Sequence, residues 1–221
     1  FWHPERGGVL SATVQINGCT ASFVSADGLM VTNHHCGFGA VSALSTVEHN
    51  WLRDGFAATD RAAELPAAGM SAFVLKRIED VTAQVHAAQD KATSDLERWQ
   101  LTQQTIDRLV REGEKEPDTE CSVASFLEGK EYHLYYRTRI ADVRLVYAPP
   151  RAIGEFGGEA DNWEWPRHTG DFMFFRAYVG PDGKPAPHHA DNVPFRPEHF
   201  LKVSGTGAHQ GDLAIIMGYP G

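Results

Sequence analysis

The residues that decide the fold are 18–37, which read GCTASFVSADGLMVTNHHCG. Apolar and polar side chains alternate over residues 20–25, and this pattern predicts a half-buried β-strand. Asp27 and Gly28 predict a tight turn, because glycine accepts the positive φ that a hairpin turn requires. Residues 29–33 then return as a second strand. The stretch is therefore predicted to be a β-hairpin with a histidine pair at its end.

The two cysteines of this stretch are predicted to form a disulfide. Cys19 stands just before the first strand and Cys36 just after the second. An antiparallel return brings those two ends together, which is the geometry that a disulfide needs. Cys121 would then be a free thiol, of the kind that is usually a small buried hydrophobe. A disulfide also indicates an oxidising compartment.

His35 lies beside this disulfide on a rigid element, as a general base must. The plainer interpretation is a structural histidine bonded to a backbone carbonyl. A metal site with His34 is the other alternative, but neighbouring side chains of an extended segment point to opposite faces. The adjacent histidines at 188–189 meet the same objection. The sequence also lacks the Cys-x-x-Cys and His-Glu-x-x-His spacings of zinc sites. A zinc-dependent hydrolase is therefore the weaker alternative.

Composition narrows the class of protein further. The chain has 221 residues and a net charge of −9, with 42% hydrophobic residues. Scattered Lys and Arg in an acidic chain argue against nucleic acid or an anionic membrane surface as a partner. No apolar run approaches the roughly 20 residues that cross a bilayer. Both ends look cut, so the sequence is expected to be a piece of a longer protein.

A second cluster of polar and aromatic residues covers 156–171, which read FGGEADNWEWPRHTGD. Asp171 ends this cluster and is followed by the apolar residues 172–175, predicted to be a strand. A carboxylate at a strand end beside a core needs a hydrogen-bonded partner, and His35 is the candidate. Asp171 would accept the proton of its Nδ1 and fix its tautomer. The alternative for Asp171 is a strand-end cap, and for at least one of Trp163 and Trp165 it is ordinary core packing.

The rest of the chain predicts a mainly β fold with one helical insertion at about 79–112. The insertion has a capping-box pattern at Ser94, and apolar residues at 96, 99, 106 and 110 predict an amphipathic helix packed on the domain. Residues 47–54 predict a short helix. Strands are predicted at 9–16, 72–77, 132–137, 140–147, 171–179 and 213–218. A barrel or a sandwich fits this pattern.

The motifs around the two clusters resemble those of the bacterial dipeptidyl-peptidase 7 and 11 family. They are GCTASF at 18–23, VTNHHC at 31–36, DNW at 161–163 and WPRHTGDF at 165–172, with APP at 148–150 and GYPG at 218–221. The resemblance implies serine exopeptidases with a chymotrypsin-like double β-barrel and a helical domain over the cleft. Residues 1–221 would be the N-terminal part of the peptidase domain, the first barrel with its helical insertion. The second barrel and the helical cap would lie outside this chain.

The resemblance also implies roles for individual residues. His35 is expected to be the catalytic base and Asp171 the acid of a triad, with Asp161 as a fallback. Asn162 is expected to bind the free amino group of the substrate, with Trp163 beside it. The nucleophile of the family lies in a Gly-Asn-Ser-Gly-type turn, which is missing from this sequence. The lookalike at Ser204 lacks the preceding glycine and is not assigned.

The expected function is therefore the release of dipeptides from peptides with a free N-terminus, without a cofactor or metal. We expect the full-length protein to be a homodimer, secreted to the periplasm or the cell surface. We expect no membrane span and no nucleic acid partner. A non-catalytic β-barrel binding module, such as a degenerate relative, is the alternative from outside the enzymes.

Overall fold

The computed structural model describes residues 2–3, 7–158 and 165–219. Its strands pair in antiparallel fashion and its helices are few. The strands are β1 (Trp2–His3), β2 (Gly7–Gly8), β3 (Thr13–Ile16), β4 (Cys19–Phe23), β5 (Leu29–Thr32), β6 (Phe56–Ala57), β7 (Leu65–Pro66), β8 (Ala72–Asp80), β9 (Glu120–Phe126), β10 (Glu131–Ile140), β11 (Asp142–Ala148), β12 (Met173–Val179) and β13 (Val193–Pro194). The α-helices are α1 (His34–Leu44), α2 (Trp51–Asp54), α3 (Thr82–Gln89), α4 (Asp95–Gly113) and α5 (Arg151–Gly154), with 3-10 turns at Val9–Ala12 and Arg61–Ala63.

The chain divides into two compact units, of which residues 1–73 and 140–221 form the first. The strands of this unit follow the order β6-β11-β12-β5-β4-β3, with β7 beside β11 and β13 beside β12. Alternate side chains point inward and are fully buried, as in a sheet with one face on a core. The largest of them are Phe23, Phe175, Ile16, Met30, Leu145 and Met173.

The predicted hairpin is present as β4 and β5, with Phe23 paired to Met30. Gly28 has φ +74°, as the turn requires. The Ser25 hydroxyl accepts the backbone N–H groups of Asp27 and Leu29, which closes the turn. Each strand is shorter than predicted, because the local pattern does not mark where pairing stops.

The expectation of an extended segment at His34 and His35 is wrong. Both residues lie in the first turn of α1, with Asn33 in the N-cap position. The residues that follow them in α1 are mostly small, so the sequence shows little helical periodicity here. Gly37 is one of these small residues. A Cβ at this position would lie 2.8 Å from Cζ of Phe175 and would collide with it, so glycine is needed here. The helix can therefore lie close against β12.

A buried polar network holds residues 187–192 on β11. The Asp142 carboxylate accepts hydrogen bonds from Arg144, His188 and Asn192. Burial alone would raise the pKa of Asp142, but these three donors outweigh it and the pKa is lowered. A second buried group joins Glu64 to Arg176 and to the Tyr178 hydroxyl. These bonds fix β11 and β12, and β12 is the strand that Asp171 precedes.

The second unit, residues 74–139, contains most of β8 with β10 and β9, and the helices α3 and α4. Its core is a cluster of Val81, Val85, Leu109, Cys121, Tyr132, Leu134 and Tyr136. Cys121 is a buried free thiol, as predicted. Ser94 caps α4 by accepting the N–H of Glu97. The Glu97 carboxylate reaches back to Thr93, one residue before the cap, so the capping box is shifted from the usual pattern.

Other parts of the secondary structure also differ from the prediction. The first half of the predicted stripe on α4 is exposed: Leu96 by 66% and Trp99 by 62%. The buried face instead carries Thr102, Thr105, Leu109 and Gly113. Residues 213–218, predicted to be a strand, are irregular, and the strand at residues 120–126 was not predicted.

The predicted fold class, mainly β with a helical insertion, is confirmed by the structure. Among the residues that the structure describes, no helix has the length and apolar character needed to cross a membrane.

Candidate active site

The predicted disulfide is present and joins the start of β4 to the first turn of α1. The Cα atoms of Cys19 and Cys36 are 6.0 Å apart. With the ring of His35, the two sulfurs form a group whose potential ligand atoms lie within 4.8 Å of one another. Both sulfurs are used in the covalent bond, so the group in this state offers only the imidazole to a metal ion.

Replacing Cys19 and Cys36 by serine is expected to lower the free energy of unfolding by about 3 kcal/mol, because the disulfide restricts the unfolded chain. The bridged residues are 17 apart in sequence. Urea unfolding of the oxidised protein and of the double variant measures the difference. Cys121→Ser, which leaves the disulfide intact, is the control. Equal unfolding midpoints and slopes for wild type and double variant would contradict this expectation.

The structure brings the predicted base and acid into direct contact. The Nδ1 atom of His35 lies 2.8 Å from Oδ2 of Asp171. The backbone N–H of His35 donates to Oδ1 of the same carboxylate at 3.1 Å, and Asn33 Nδ2 donates to Oδ2 at 3.1 Å. Sheet register explains the proximity: β5 ends at Thr32 opposite the first residue of β12, Met173. The residues after β5 therefore meet the residues before β12.

The side chains of Asp171 and His35 differ in burial and in charge. The Asp171 side chain is 11% exposed and that of His35 is 57% exposed. Burial alone would raise the pKa of Asp171. The N–H and ring of His35 and the amide of Asn33 outweigh burial, so the pKa is lowered. The acid is thus an ionised carboxylate that holds the imidazole through Nδ1, which leaves Nε2 free to take a proton.

The end of α5 and the residues after it are bonded to the residues just before Asp171. The Gly170 N–H donates to the Ile153 carbonyl at 2.8 Å, and the Thr169 hydroxyl donates to the Phe156 carbonyl at 2.7 Å. Asp161, Asn162 and Trp163 come between these two segments in the sequence and lie outside the described residues.

The expectation of core packing does not hold for Trp165, which is 89% exposed. The neighbouring residues 166–168 are also exposed. An apolar side chain in such a place is no part of a core. The pattern of tryptophans alone could not show this.

A groove of about 670 Å³ opens beside the carboxylate. Residues of β4, β5 and the C-terminal segment line it together with the segment that precedes β12. They are Thr20, Ala21, Ser22, Val31, Thr32, Asn33, Asp171, Phe172, Ile216, Met217, Gly218 and Tyr219. The Tyr219 N–H donates to the Thr20 hydroxyl at 2.8 Å, which fixes the C-terminal segment there. The sequence did not predict this groove, because its walls come from distant parts of the chain.

A half-exposed imidazole in the first turn of a helix, oriented by a largely buried carboxylate, is the arrangement of hydrolases that use histidine as a general base. Comparison with known proteins gives the family. The family model described as peptidase S46 matches residues 4–221, and the chain belongs to that family.

The relatives and solved structures that resemble the chain are dipeptidyl peptidases. Dipeptidyl-peptidase 7 of Capnocytophaga gingivalis is 43% identical over 212 residues, which cover 96% of this chain and 30% of that protein. The Asp/Glu-specific dipeptidyl-peptidase of Shewanella putrefaciens is 44% identical over 214 residues, 96% of this chain and 29% of that protein. The crystal structure of Porphyromonas endodontalis DPP11 in complex with the dipeptide Arg-Glu matches with a TM-score of 0.84 and 36% identity, over 96% of this chain and 32% of that chain. This chain thus spans about a third of the length of these proteins.

Proposed function

We propose that this chain is the N-terminal part of a secreted serine-type dipeptidyl aminopeptidase. The observation that carries the proposal is the 2.8 Å contact between His35 Nδ1 and the buried Asp171 carboxylate. Similarity to dipeptidyl peptidases over 96% of the chain supports it. The second barrel and the helical cap would be built from residues of the full-length protein outside this chain.

In the proposed mechanism, a serine outside residues 1–221 attacks the carbonyl of the second residue of the peptide. His35 takes the serine proton on Nε2 and then donates it to the leaving amine. Water then cleaves the acyl-enzyme with the same base. Asp171 remains ionised and stabilises the imidazolium that forms after each proton transfer. Backbone N–H groups near the serine would stabilise the oxyanion.

The free amino group of the peptide would bind to Asn162, with Trp163 beside it. An amide oxygen accepts hydrogen bonds from an ammonium without bringing another buried charge to the site. This choice of group would explain why peptides are cut two residues from their N-terminus. Peptides with a free N-terminus are thus the proposed substrates, and the full-length protein is proposed to be a homodimer in the periplasm or at the cell surface.

We expect the full-length protein to cleave dipeptidyl-coumarin substrates and to react with a fluorophosphonate probe, and residues 1–221 alone to do neither. The isolated chain would hold a base and an acid without the nucleophile. Both samples are assayed side by side, with dithiothreitol absent to keep the disulfide. Turnover by residues 1–221 would overturn the assignment of an external serine. A full-length protein that does not react with the probe and is inactivated by a metal chelator would support the zinc hydrolase instead. A full-length protein without any activity would support the binding module.

A further inference from the structure

The disulfide stands directly beside the proposed base. Potential ligand atoms of Cys19, Cys36 and His35 lie within 4.8 Å of one another. Among the described residues, this is the one group of three or more His, Cys, Asp or Glu side chains close enough together to hold a metal ion. The His35 side chain is 57% exposed, so an ion can approach it from the solvent. The sulfurs are bonded to each other only in the oxidised protein, and reduction makes both of them available.

Reduction turns this group into a set of ligands that zinc accepts. Two thiolates and one imidazole form a Cys₂His set, in which a water completes the tetrahedron around Zn²⁺. Mg²⁺ and Ca²⁺ prefer oxygen ligands and would not compete for this set. Zn–S bonds of about 2.3 Å place the two sulfurs of a tetrahedral site about 3.8 Å apart. The Cα atoms of Cys19 and Cys36 are 6.0 Å apart, so both side chains can reach one ion at that spacing.

Noncovalent contacts hold the two cysteines near each other, and these contacts do not depend on the S–S bond. The Thr32 hydroxyl donates to the Thr20 carbonyl at 2.8 Å, which joins the start of β4 to the end of β5. Just beyond β5, the Asn33 side chain and the backbone N–H of His35 donate to the Asp171 carboxylate, each at 3.1 Å. The first turn of α1 is therefore expected to stay next to β4 in the reduced protein.

We propose that the reduced protein binds Zn²⁺ through Cys19, Cys36 and a ring nitrogen of His35, and that the bound ion inactivates the peptidase. The loss of activity rests on the proposed function, whereas the binding of the metal does not. An ion on Nε2 occupies the atom that takes up the serine proton, and an ion on Nδ1 displaces Asp171. Either bond removes the base, because general-base catalysis by His35 uses both nitrogens.

The change between the two states balances in electrons and protons. A dithiol breaks the S–S bond, is itself oxidised to a cyclic disulfide, and gives its two protons to the sulfurs of Cys19 and Cys36. Zn²⁺ then replaces those two protons, which pass to the solvent. A small disulfide reverses both steps: it is reduced to two thiols, the S–S bond forms again and the ion leaves. The disulfide thus keeps the base free of metal, besides stabilising the fold.

The binding test titrates the full-length protein with Co²⁺, which takes the same ligands as Zn²⁺ and absorbs light when thiolates bind it. Dithiothreitol reduces the protein and is removed under argon before the titration. Reduced wild type is expected to show the absorption of Co²⁺–thiolate bonds, which oxidised wild type lacks. His35→Ala should weaken binding by about tenfold or more, and Cys19→Ser/Cys36→Ser by about a hundredfold or more. Cys121→Ser, which removes a buried free thiol of the second unit, is the control and should bind like wild type.

The activity test uses Zn²⁺ alone and a dipeptidyl-coumarin substrate. One equivalent of Zn²⁺ should lower turnover by reduced wild type about tenfold or more, and a chelator should restore it. The same addition should leave turnover by oxidised wild type nearly unchanged. Cys121→Ser should respond like wild type in both states. A chelator therefore activates the reduced enzyme, whereas it would inactivate a zinc-dependent hydrolase.

Three results would overturn the inference: no Co²⁺–thiolate absorption in reduced wild type, equal affinity in reduced wild type and His35→Ala, or binding without a loss of turnover. Oxidised wild type has the same sequence as the reduced protein, so the comparison holds even where the double serine variant fails to fold. A protein that is inactive in every state, yet binds Co²⁺ through these three residues when reduced, would overturn the proposed function and leave the metal site standing. A protein that is active when oxidised and binds no metal when reduced would do the opposite.

Discussion

Replacement of His35 by alanine is expected to lower kcat of the full-length protein by about a thousandfold or more, with KM little changed. Among the residues that the structure describes, only the imidazole bonded to the Asp171 carboxylate has a nitrogen left for proton transfer, because Asn33 contributes an amide. Removal of one member of such a triad typically costs several orders of magnitude in kcat. Binding would persist, since the residues proposed to hold the peptide remain. Steady-state kinetics with a dipeptidyl-coumarin substrate gives both constants.

The matched control for this variant is His209→Ala, since His209 is a more exposed histidine on a turn, with 70% of its side chain accessible. It should retain full activity. Fluorophosphonate labelling should fall with kcat in His35→Ala but not in the control. Thermal unfolding should be similar in all three proteins, because His35 is half exposed and packs little. A kcat within tenfold of wild type would move the base to another residue.

The sequence predicted the two halves of the site, but not the reason why they meet. The turn at Asp27 and Gly28 defines the hairpin and thus where β5 ends. The residue that starts β12 opposite Thr32 could not be read from alternation, because register depends on the paired strand. The pairing of His35 with Asp171 was predicted from the residues and from the motif resemblance, without that register. The buried state of His34 was out of reach, since an extended segment was expected where α1 begins.

The wrong predictions elsewhere share one cause, which is that local sequence patterns contain no information on tertiary contacts. Leu96 and Trp99 match the helical spacing, yet the core of their unit ends before it reaches them. Thr102 and Thr105 occupy the buried face of α4 instead. A search for hydrophobic periodicity does not find them, because threonine is polar. Residues 213–218 have strand-like composition, but a strand needs a neighbour to pair with. Periodicity gives a preference for one face of an element, and tertiary contacts decide which part of that face is covered.

The second large effect is expected for Asp171→Asn, which should lower kcat by about three to four orders of magnitude. Asparagine has nearly the same shape, and its amide oxygen would still accept the backbone N–H of His35, whereas an NH₂ group at the Oδ2 position would lose the hydrogen bond from Asn33. Its neutral amide would no longer stabilise the imidazolium, and its NH₂ group would face Nδ1 in the orientation that favours the wrong tautomer. Asp182→Asn, on an exposed turn, is the control and should not change kcat.

The pH dependence separates a loss of charge from a loss of structure. The pKa of Asp171 lies below its ordinary 3.8 in the folded protein, so the stability that its charge contributes is present above that pH and is lost only as the pH falls further. Acidification from pH 8 to 5 should therefore leave wild-type Asp171 ionised, and the deficit of the Asn variant should persist across that range. The double variant His35→Ala/Asp171→Asn should be no slower than His35→Ala alone, because the carboxylate acts through the imidazole. Additive losses in the double variant would mean that Asp171 has a role apart from His35, and would break the link between the 2.8 Å contact and catalysis.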